Sequence, residues 1–304
     1  MDDEPDILMP SGGSIHKLAE FSVDLHEFPT RETLLIGADH VEFLRPTCLI
    51  FLAKSCKMRT RAKDAEKVVY KGLNKLTYAN NLGFSDALSL EGRPYPQGAF
   101  GGHNYIPMSV LSRTSLDADA LEVGDELGDA IERRCEDIAR IVSQHQKAHL
   151  SDILARSFCE IFRNCFEHGG SENAVFCAQY WPQLNTVEIC IADRGMGVKA
   201  SLTESKHTKP VTDSEALGFS LMPGVSSKAW RHKKKKAAQK SVWDNAGYGL
   251  FFAHQLFGKL GHFYIASGNS SLFLDKDKYK EIPCAIEGTL VSMRMSLSDE
   301  RSIT

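Results

Sequence analysis

Hydrophobic and polar residues alternate most regularly in the second half of the chain. Residues 174–181 and 186–192 are apolar runs of strand length, and the four residues between them include proline and asparagine, which favours a hairpin. Residues 261–268 and 288–295 alternate apolar and polar positions, as expected for strands with two different faces. The pattern therefore predicts a hairpin followed by two further strands.

Helical spacing precedes these strands. Within residues 126–149, Leu127, Ile131 and Ile138 fall on one helical face and charged residues occupy the others, which predicts an amphipathic helix. A second helix is predicted to include residues 160–168, whose apolar side would pack on the sheet.

Three polar residues of this second helix form a candidate site. Glu160, Asn164 and His168 are four residues apart, and side chains at this spacing share one face of an α-helix. An amide oxygen can bind Mg²⁺, and a carboxylate can accept a proton or orient a water molecule. A solvent-facing helix edge would carry similar residues, so the helix alone leaves both interpretations open.

Two glycine-rich elements follow. The strand at 186–192 runs into Asp193, Gly195 and Gly197, where glycines let the backbone approach a flat ligand and the carboxylate can accept a hydrogen bond from it. The same residues are common in ordinary turns. Further along, Gly247 and Gly249 open a predicted apolar helix, whose free N–H groups and positive dipole end suit a phosphate.

In this order the elements resemble the nucleotide-binding domain of the GHKL superfamily. That superfamily includes gyrases, heat-shock chaperones, sensor histidine kinases, bacterial anti-sigma serine kinases and mismatch-repair ATPases. The matching motifs are ExxxN at Glu160 and Asn164, DxGxG at 193–197, GxGL at 247–250 and GT at 288–289. The resemblance implies a two-layer α/β sandwich of the histidine kinase-like ATPase type over residues 116–304.

The resemblance also implies a role for each site residue. Glu160 would be the base or water-orienting carboxylate, His168 a second candidate catalytic residue, and Asn164 the ligand of the Mg²⁺ that bridges the phosphates of ATP. Asp193 would accept a hydrogen bond from the exocyclic amine of adenine, with Thr289 supporting it. The other implied ATP-binding residues belong to the two glycine elements: Gly195, Gly197, Gly247, Tyr248, Gly249 and Leu250.

The first half of the chain has a less regular pattern of strands and helices. The predicted elements are strands at residues 33–37 and 68–70 and helices at residues 46–56 and 73–83. This β-α-β-α order resembles the STAS domain of anti-sigma antagonists, which is implied for residues 1–115. In such domains a Ser or Thr at the start of the first helix can be phosphorylated, and Thr47 stands there. An ordinary helix-start residue is the alternative.

Composition narrows the possible classes. The chain has 304 residues, 42% of them hydrophobic, and a formal charge of −3, which indicates a globular protein without general attraction to polyanions. Nucleic-acid binding through the basic run at residues 231–236 is not expected, because no aromatic residue interleaves it. A signal peptide and a membrane-spanning segment are not expected either, so the predicted location is the cytoplasm. The eight cysteines lack CxxC pairs and are expected to be reduced core residues.

Three activities are compatible with these motifs. The preferred one is Mg-ATP binding with slow hydrolysis, coupled to a conformational switch or to binding of a protein partner or a second copy of the chain. The alternatives are a serine/threonine protein kinase of the anti-sigma-factor type and a non-hydrolysing ATP-gated interaction module. All three would depend on positioning of the bound ATP, on a metal ion and on neutralisation of the phosphate charge. The pairing of the two domains suggests a regulatory role in a bacterial signalling or defence system.

Overall fold

The computed structural model describes residues 4–63, 65–88, 102–144, 148–204, 209–225, 249–276 and 278–297. These residues form a mixed α/β fold with a three-stranded parallel sheet and a five-stranded antiparallel sheet. The predicted α/β class is confirmed. None of the described helices combines the length and the apolar composition that crossing a bilayer requires.

The first half of the chain carries the parallel sheet, in the order β1-β2-β3. Its elements are β1 (Ile7–Leu8), α1 (Ile15–Glu27), β2 (Thr33–Gly37), α2 (Pro46–Ala62), β3 (Lys67–Lys71), α3 (Thr77–Asn81) and α4 (Phe84–Leu88). The predicted strands and the helix that begins at Pro46 are confirmed. The helix predicted at residues 73–83 was wrong in part, because a 3₁₀ turn at Leu73–Lys75 precedes the short α3.

The second half carries the antiparallel sheet, in the order β4-β5-β6-β8-β7. Its first elements are β4 (Tyr105–Ser112), α5 (Arg113–Val123), α6 (Leu127–Ser143), α7 (Ala148–Arg163), a π-helical turn (Asn164–His168), β5 (Asn173–Trp181) and β6 (Thr186–Asp193). The remaining elements are α8 (Gly197–Thr203), α9 (Asp213–Ser220), α10 (Gly249–Leu260), β7 (Gly261–Asp275) and β8 (Lys278–Ser296).

The four predicted strands of this half are all present. β5 and β6 form the predicted hairpin, with Cys177 opposite Cys190. The predicted strands at 261–268 and 288–295 lie inside the longer β7 and β8, which pair as far as Asp275 and Lys278. The extensions were missed because the first four residues of β8 are all exposed, so no apolar alternation marks them.

The antiparallel sheet begins before the second predicted domain. β4 pairs with β5, for example with Val110 opposite Val175. A division at residue 115 therefore separates β4 from the sheet that it joins. Where independent folding units begin and end stays a prediction.

Helices cover both faces of the antiparallel sheet. Every residue of β6 is buried, and successive side chains of a strand point to opposite faces. Ile191 belongs to the core shared with α6, α7 and α10, whereas Cys190 belongs to the core shared with α1 and α2. The antiparallel sheet and the helices α6, α7 and α10 thus form two layers, and the first half of the chain adds a third layer on the other face of the sheet.

A buried polar cluster fixes α2 to this sheet. The Glu188 side chain on β6 is 1% exposed, and its Oε1 accepts hydrogen bonds from the Thr47 backbone N–H at 3.0 Å and the Thr47 hydroxyl at 2.6 Å. Arg45 forms an ion pair with the same carboxylate at 3.1 Å. An acceptor at a helix start satisfies N–H groups that have no partner within the helix. Thr47 is only 1% exposed, which favours the structural interpretation of this residue over a phosphorylation site.

Candidate functional site

Asp193 ends β6 and is the most enclosed of the predicted ligand-binding side chains that the structure describes. It is 3% exposed, and its Oδ1 accepts a hydrogen bond from the Gly195 N–H at 2.6 Å. The Cys165 thiol and the Thr289 backbone N–H also donate to this carboxylate. Burial raises the pKa of Asp193, an effect that the nearby Lys54 charge opposes. Asp193 and Thr289, predicted as partners, are in contact.

The Asp193 carboxylate can accept more hydrogen bonds than the one from Gly195. A carboxylate offers about four acceptor positions, and the Gly195 N–H uses one of them at 2.6 Å. An amine on a bound ligand could use another. The carboxylate is therefore chemically suited to recognise an N–H group.

The glycines after Asp193 allow close approach of three backbone segments. A Cβ on residue 195 would lie 2.2 Å from the carbonyl oxygen of Gly169. Gly197 has φ +78°, and a Cβ there would lie 2.9 Å from the Ser267 hydroxyl oxygen. That hydroxyl donates to the Gly288 carbonyl at 2.7 Å. Only glycine fits these positions without displacing backbone or the bridging serine.

The α-helix that carries Glu160 ends earlier than predicted. α7 stops at Arg163, and Asn164–His168 form a π-helical turn in which the Gly169 N–H donates to the Asn164 carbonyl at 2.7 Å. The predicted helix is therefore α-helical at Glu160 and π-helical from Asn164 onward, and a shared face for the three polar side chains stays a prediction. Such turns inside helices often occur at functional sites.

Glu160 contacts the start of α10. A Cβ on Gly249, the first residue of α10, would lie 1.9 Å from Glu160 Oε2, so the carboxylate occupies space that a side chain would fill. Burial raises the pKa of Glu160, while the Arg163 charge opposes that rise. Two motifs that are far apart in sequence, the ExxxN helix and the GxGL helix start, therefore meet at this carboxylate.

Gly169 links the Asn164 and Asp193 positions. A Cβ on residue 169 would lie 3.3 Å from the Asn164 carbonyl oxygen and 3.6 Å from Asp193 Oδ1. The asparagine end of the π turn and the aspartate end of β6 thus border the same small residue. Asn164 is half-buried rather than enclosed.

Sequence reasoning missed Lys54 of α2, which also contacts Asp193. Its Nζ donates to the Asp193 backbone carbonyl, and the residue is 9% exposed. Burial lowers the pKa of Lys54 to about 8. The available signal was a single lysine directly after the apolar run of residues 48–53.

A small cavity lies beside this lysine, between α2 and the sheet. Its volume is about 40 Å³, and it is lined by Ile50, Lys54, Met108, Val175 and Asp193, among others. This volume suits a water molecule and is far too small for a nucleotide. The cavity is on the α2 side of the sheet, whereas Glu160 and Asn164 are on the α7 side.

The groups at these positions are of the chemical types that binding of Mg-ATP would use. They are the Asn164 amide, the Glu160 carboxylate, the Asp193 carboxylate and the backbone N–H groups at the start of α10, where Gly249 and Leu250 lie. Within the described residues, no cluster of three or more His, Cys, Asp and Glu side chains could hold a metal. A Mg²⁺ here would depend on one amide and on the phosphates themselves.

Some predicted features lie outside the described residues. These are Gly247, Tyr248, the side chain of His168 and the basic run at residues 231–236. Comparison with family models, with curated proteins and with solved structures gives no match to the chain.

Proposed function

We propose that the protein binds Mg-ATP and hydrolyses it slowly, and that nucleotide binding changes its conformation or its affinity for a protein partner. The observation that carries the proposal is the shared border at Gly169, where the Asn164 turn and the Asp193 carboxylate lie within van der Waals distance of one position. A metal ligand and an adenine-recognising carboxylate have to lie in one site for this function.

Each residue has a physical task in this proposal. Asp193 accepts a hydrogen bond from the adenine amine, and Thr289 keeps that carboxylate oriented. Asn164 binds the metal through its amide oxygen. The N–H groups of Gly249 and Leu250 bind phosphate oxygens at the helix start. Bound Mg-ATP supplies an activated phosphoryl group and a metal that withdraws charge.

Glu160 is the proposed base. Its carboxylate lies against the helix start at Gly249, next to where the phosphates would bind. Burial raises the pKa of this carboxyl, which makes it a better proton acceptor than an ordinary glutamate.

The switch part of the proposal depends on the contact between α2 and β6. Lys54 holds the carbonyl of Asp193, the same residue that would recognise adenine. A nucleotide that moves this strand end would therefore change the packing of α2. Differential affinity for two such arrangements is what couples a ligand to a conformational change.

The finer structural assignments belong to the same proposal. We infer a histidine kinase-like ATPase domain over residues 116–304, a STAS-like domain over residues 1–115 and a cytoplasmic location. A protein partner or a second copy of the chain would receive the signal. The buried position of Thr47 argues against that residue as the acceptor of a kinase reaction.

Calorimetric titration of the full chain tests the binding step. ATP with Mg²⁺ should bind at least about tenfold more tightly than ATP with a chelator, a difference of about 1.4 kcal/mol in binding free energy. It should also bind more tightly than GTP with Mg²⁺. Equal affinities for ATP and GTP, or no binding, would contradict the proposal.

Incubation with γ-labelled ATP distinguishes the three activities. Release of labelled free phosphate supports slow hydrolysis. Label retained on the protein supports the kinase alternative. If ATP binds but neither free phosphate nor labelled protein forms, the result supports a non-hydrolysing module.

A further inference from the structure

We propose that the cavity between α2 and the end of β6 binds one small tetrahedral oxoanion, such as phosphate or sulfate. Four of the residues that line this cavity are basic and one is acidic. The basic residues are Lys54, Lys57 and Arg61 of α2 and Arg194, which directly follows β6. The whole chain has a formal charge of −3, so the positive charge at the cavity is a local feature.

α2 directs three of these cations to the same place. Lys54, Lys57 and Arg61 are three and four residues apart, and side chains at this spacing share one face of a helix. Because all three line the cavity, this face of α2 points toward it. Basic residues near a helix C-terminus also stabilise the helix, but that role requires neither a cavity nor the burial of a lysine.

The end of β6 forms the opposite wall. The Lys54 Nζ donates a hydrogen bond to the Asp193 backbone carbonyl, and Arg194 is the next residue in the chain. An ammonium group has three N–H donors, and this bond uses one of them. Lys54 can therefore also donate to an anion in the cavity beside it.

The cations lie at different depths. Lys54 is only 9% exposed, Lys57 is half-buried, and Arg61 and Arg194 are exposed. An anion can therefore approach the exposed arginines first and then reach the buried lysine. The other walls are apolar, which lowers the local dielectric constant and strengthens the attraction between the cations and an anion. These walls are formed by Ile50, Ala53, Met108, Val175 and Ala192.

The carboxylates near these cations do not balance their charge. Asp193 and Glu287 are the two acidic residues whose charges act on Lys54. The Asp193 Oδ1 accepts a hydrogen bond from a backbone N–H at 2.6 Å. Glu287 forms an ion pair with Arg61, and its Oε2 lies 3.7 Å from the Arg194 Nε. One carboxylate thus serves two arginines, and the cavity keeps an excess of positive charge.

This excess also affects Lys57. Burial lowers the pKa of Lys57, and the charges of Arg61 and Arg194 lower it further. Like charges that are held close together disfavour the charged form of a group. A bound anion would relieve this repulsion, and hydrogen bonds from several charged donors would offset the hydration that the anion loses.

The cavity has room for an anion of this size. Its volume of about 40 Å³ is roughly three times the smallest space that holds one water molecule. This space admits the oxygen atoms of one phosphate or sulfate ion, and it excludes a nucleotide.

Calorimetric titration of the full chain without nucleotide tests the site. Sodium phosphate and sodium sulfate should each bind at one saturable site, whereas sodium chloride at the same ionic strength should not. The chloride titration accounts for the screening of charges by salt. No saturable binding of phosphate or sulfate would overturn the proposal.

Two variants locate the bound anion. Lys57→Gln and Arg194→Gln should each weaken phosphate binding about tenfold, as for loss of one hydrogen bond to a charged group. Neither residue is fully buried, so the fold should tolerate both changes. Lys17→Gln on α1 and Arg140→Gln on α6 are the matched controls, because they remove an exposed lysine and an exposed arginine. The controls should keep the full affinity.

The start of α10 is the other place where phosphate could bind, since it belongs to the proposed ATP site. An anion there would not depend on Lys57 or Arg194, which line the cavity beside α2. Unchanged phosphate affinity in both variants would therefore overturn the proposal. These titrations contain no nucleotide, so the anion site and the proposed ATP site succeed or fail separately.

Discussion

The Nζ of Lys54, on the second helix of the chain, donates a hydrogen bond to the backbone carbonyl of Asp193 at the end of β6. The contact joins the two halves of the chain at the residue most central to the candidate site. It also places a lysine with a pKa of about 8 where an ordinary lysine would have 10.5. Changes at this contact should therefore affect both the stability of the fold and the candidate site.

Lys54 should make the free energy of unfolding rise with pH between about 8 and 10.5. In this interval the unfolded chain holds a proton on Lys54 that the folded chain has lost, so raising the pH favours the folded state. Urea denaturation at several pH values in this range should show that the free energy of unfolding of the unmodified protein rises with pH. In Lys54→Met the contribution of Lys54 to that rise should be absent. Lys17→Met, which changes an exposed lysine of α1, is the control and should keep it. Identical profiles for all three proteins would contradict the buried position of Lys54.

Gly288→Ala should destabilise the fold by more than about 2 kcal/mol, because it combines unfavourable φ with a clash. Gly288 has φ +67°, and a Cβ there would lie 2.4 Å from the Asp193 carbonyl oxygen. Gly124→Ala is the matched control, since Gly124 has φ +78° with nothing within 4 Å of the added Cβ. It should cost only about 1 kcal/mol. Equal losses in urea denaturation would show that the strand end is not tightly packed there.

Asn164→Ala should weaken ATP binding in the presence of Mg²⁺ by at least about tenfold, because the metal loses its amide ligand. Binding measured by calorimetry with a chelator should change little. Asn173→Ala, at the exposed start of β5, serves as the control and should bind like the unmodified protein. Unchanged Mg-dependent affinity in the Asn164 variant would exclude the metal role.

Glu160→Ala should retain ATP binding and lose about 10²- to 10⁴-fold in phosphate release, the usual contribution of a positioned base. In the unmodified protein, turnover should rise with pH through a pKa above the 4.5 of an ordinary glutamate. This rise of turnover with pH should be absent in Glu160→Ala. Glu136→Ala on the exposed side of α6 should keep both rate and profile, and undiminished phosphate release from Glu160→Ala would remove the proposed base.

Asp193→Asn should reduce the preference for ATP over GTP. A carboxylate only accepts hydrogen bonds and so matches the adenine amine, whereas an amide can accept from adenine or donate to guanine. Competition binding with the two nucleotides measures the ratio, and Asp152→Asn at an exposed position of α7 is the control. A ratio that stays the same in Asp193→Asn would mean that another group reads the base.

Local patterns were enough to predict much of the fold. The β5–β6 hairpin follows from two apolar runs around a turn, and the start of α2 follows from Pro46 at its first position. The sequence order of motifs also led to Asp193 and Thr289, which are in contact. These features depend on residues that are close together or on strands with regular alternation.

Other parts of the site depend on tertiary packing and have no local signature. The spacing of Glu160 and Asn164 suits an ordinary α-helix equally well, so the π turn at Asn164 could not be predicted. Nothing near Lys54 in the sequence indicates that its side chain reaches the end of β6. The contact between Glu160 and Gly249 likewise appears only when α7 and α10 pack together.

The coverage of the antiparallel sheet on both faces has a practical consequence for anyone who wishes to shorten this protein. Removing α1 and α2 would expose Cys190, Tyr264 and Leu290 to water, and the carboxylate of Glu188 would lose Thr47 and Arg45. A fragment limited to the second half would thus present a broad apolar surface and would tend to aggregate, and Glu188 would keep only Arg294, at 3.7 Å, as an ion-pair partner. Only the intact chain offers a fair measurement of what the second half can bind.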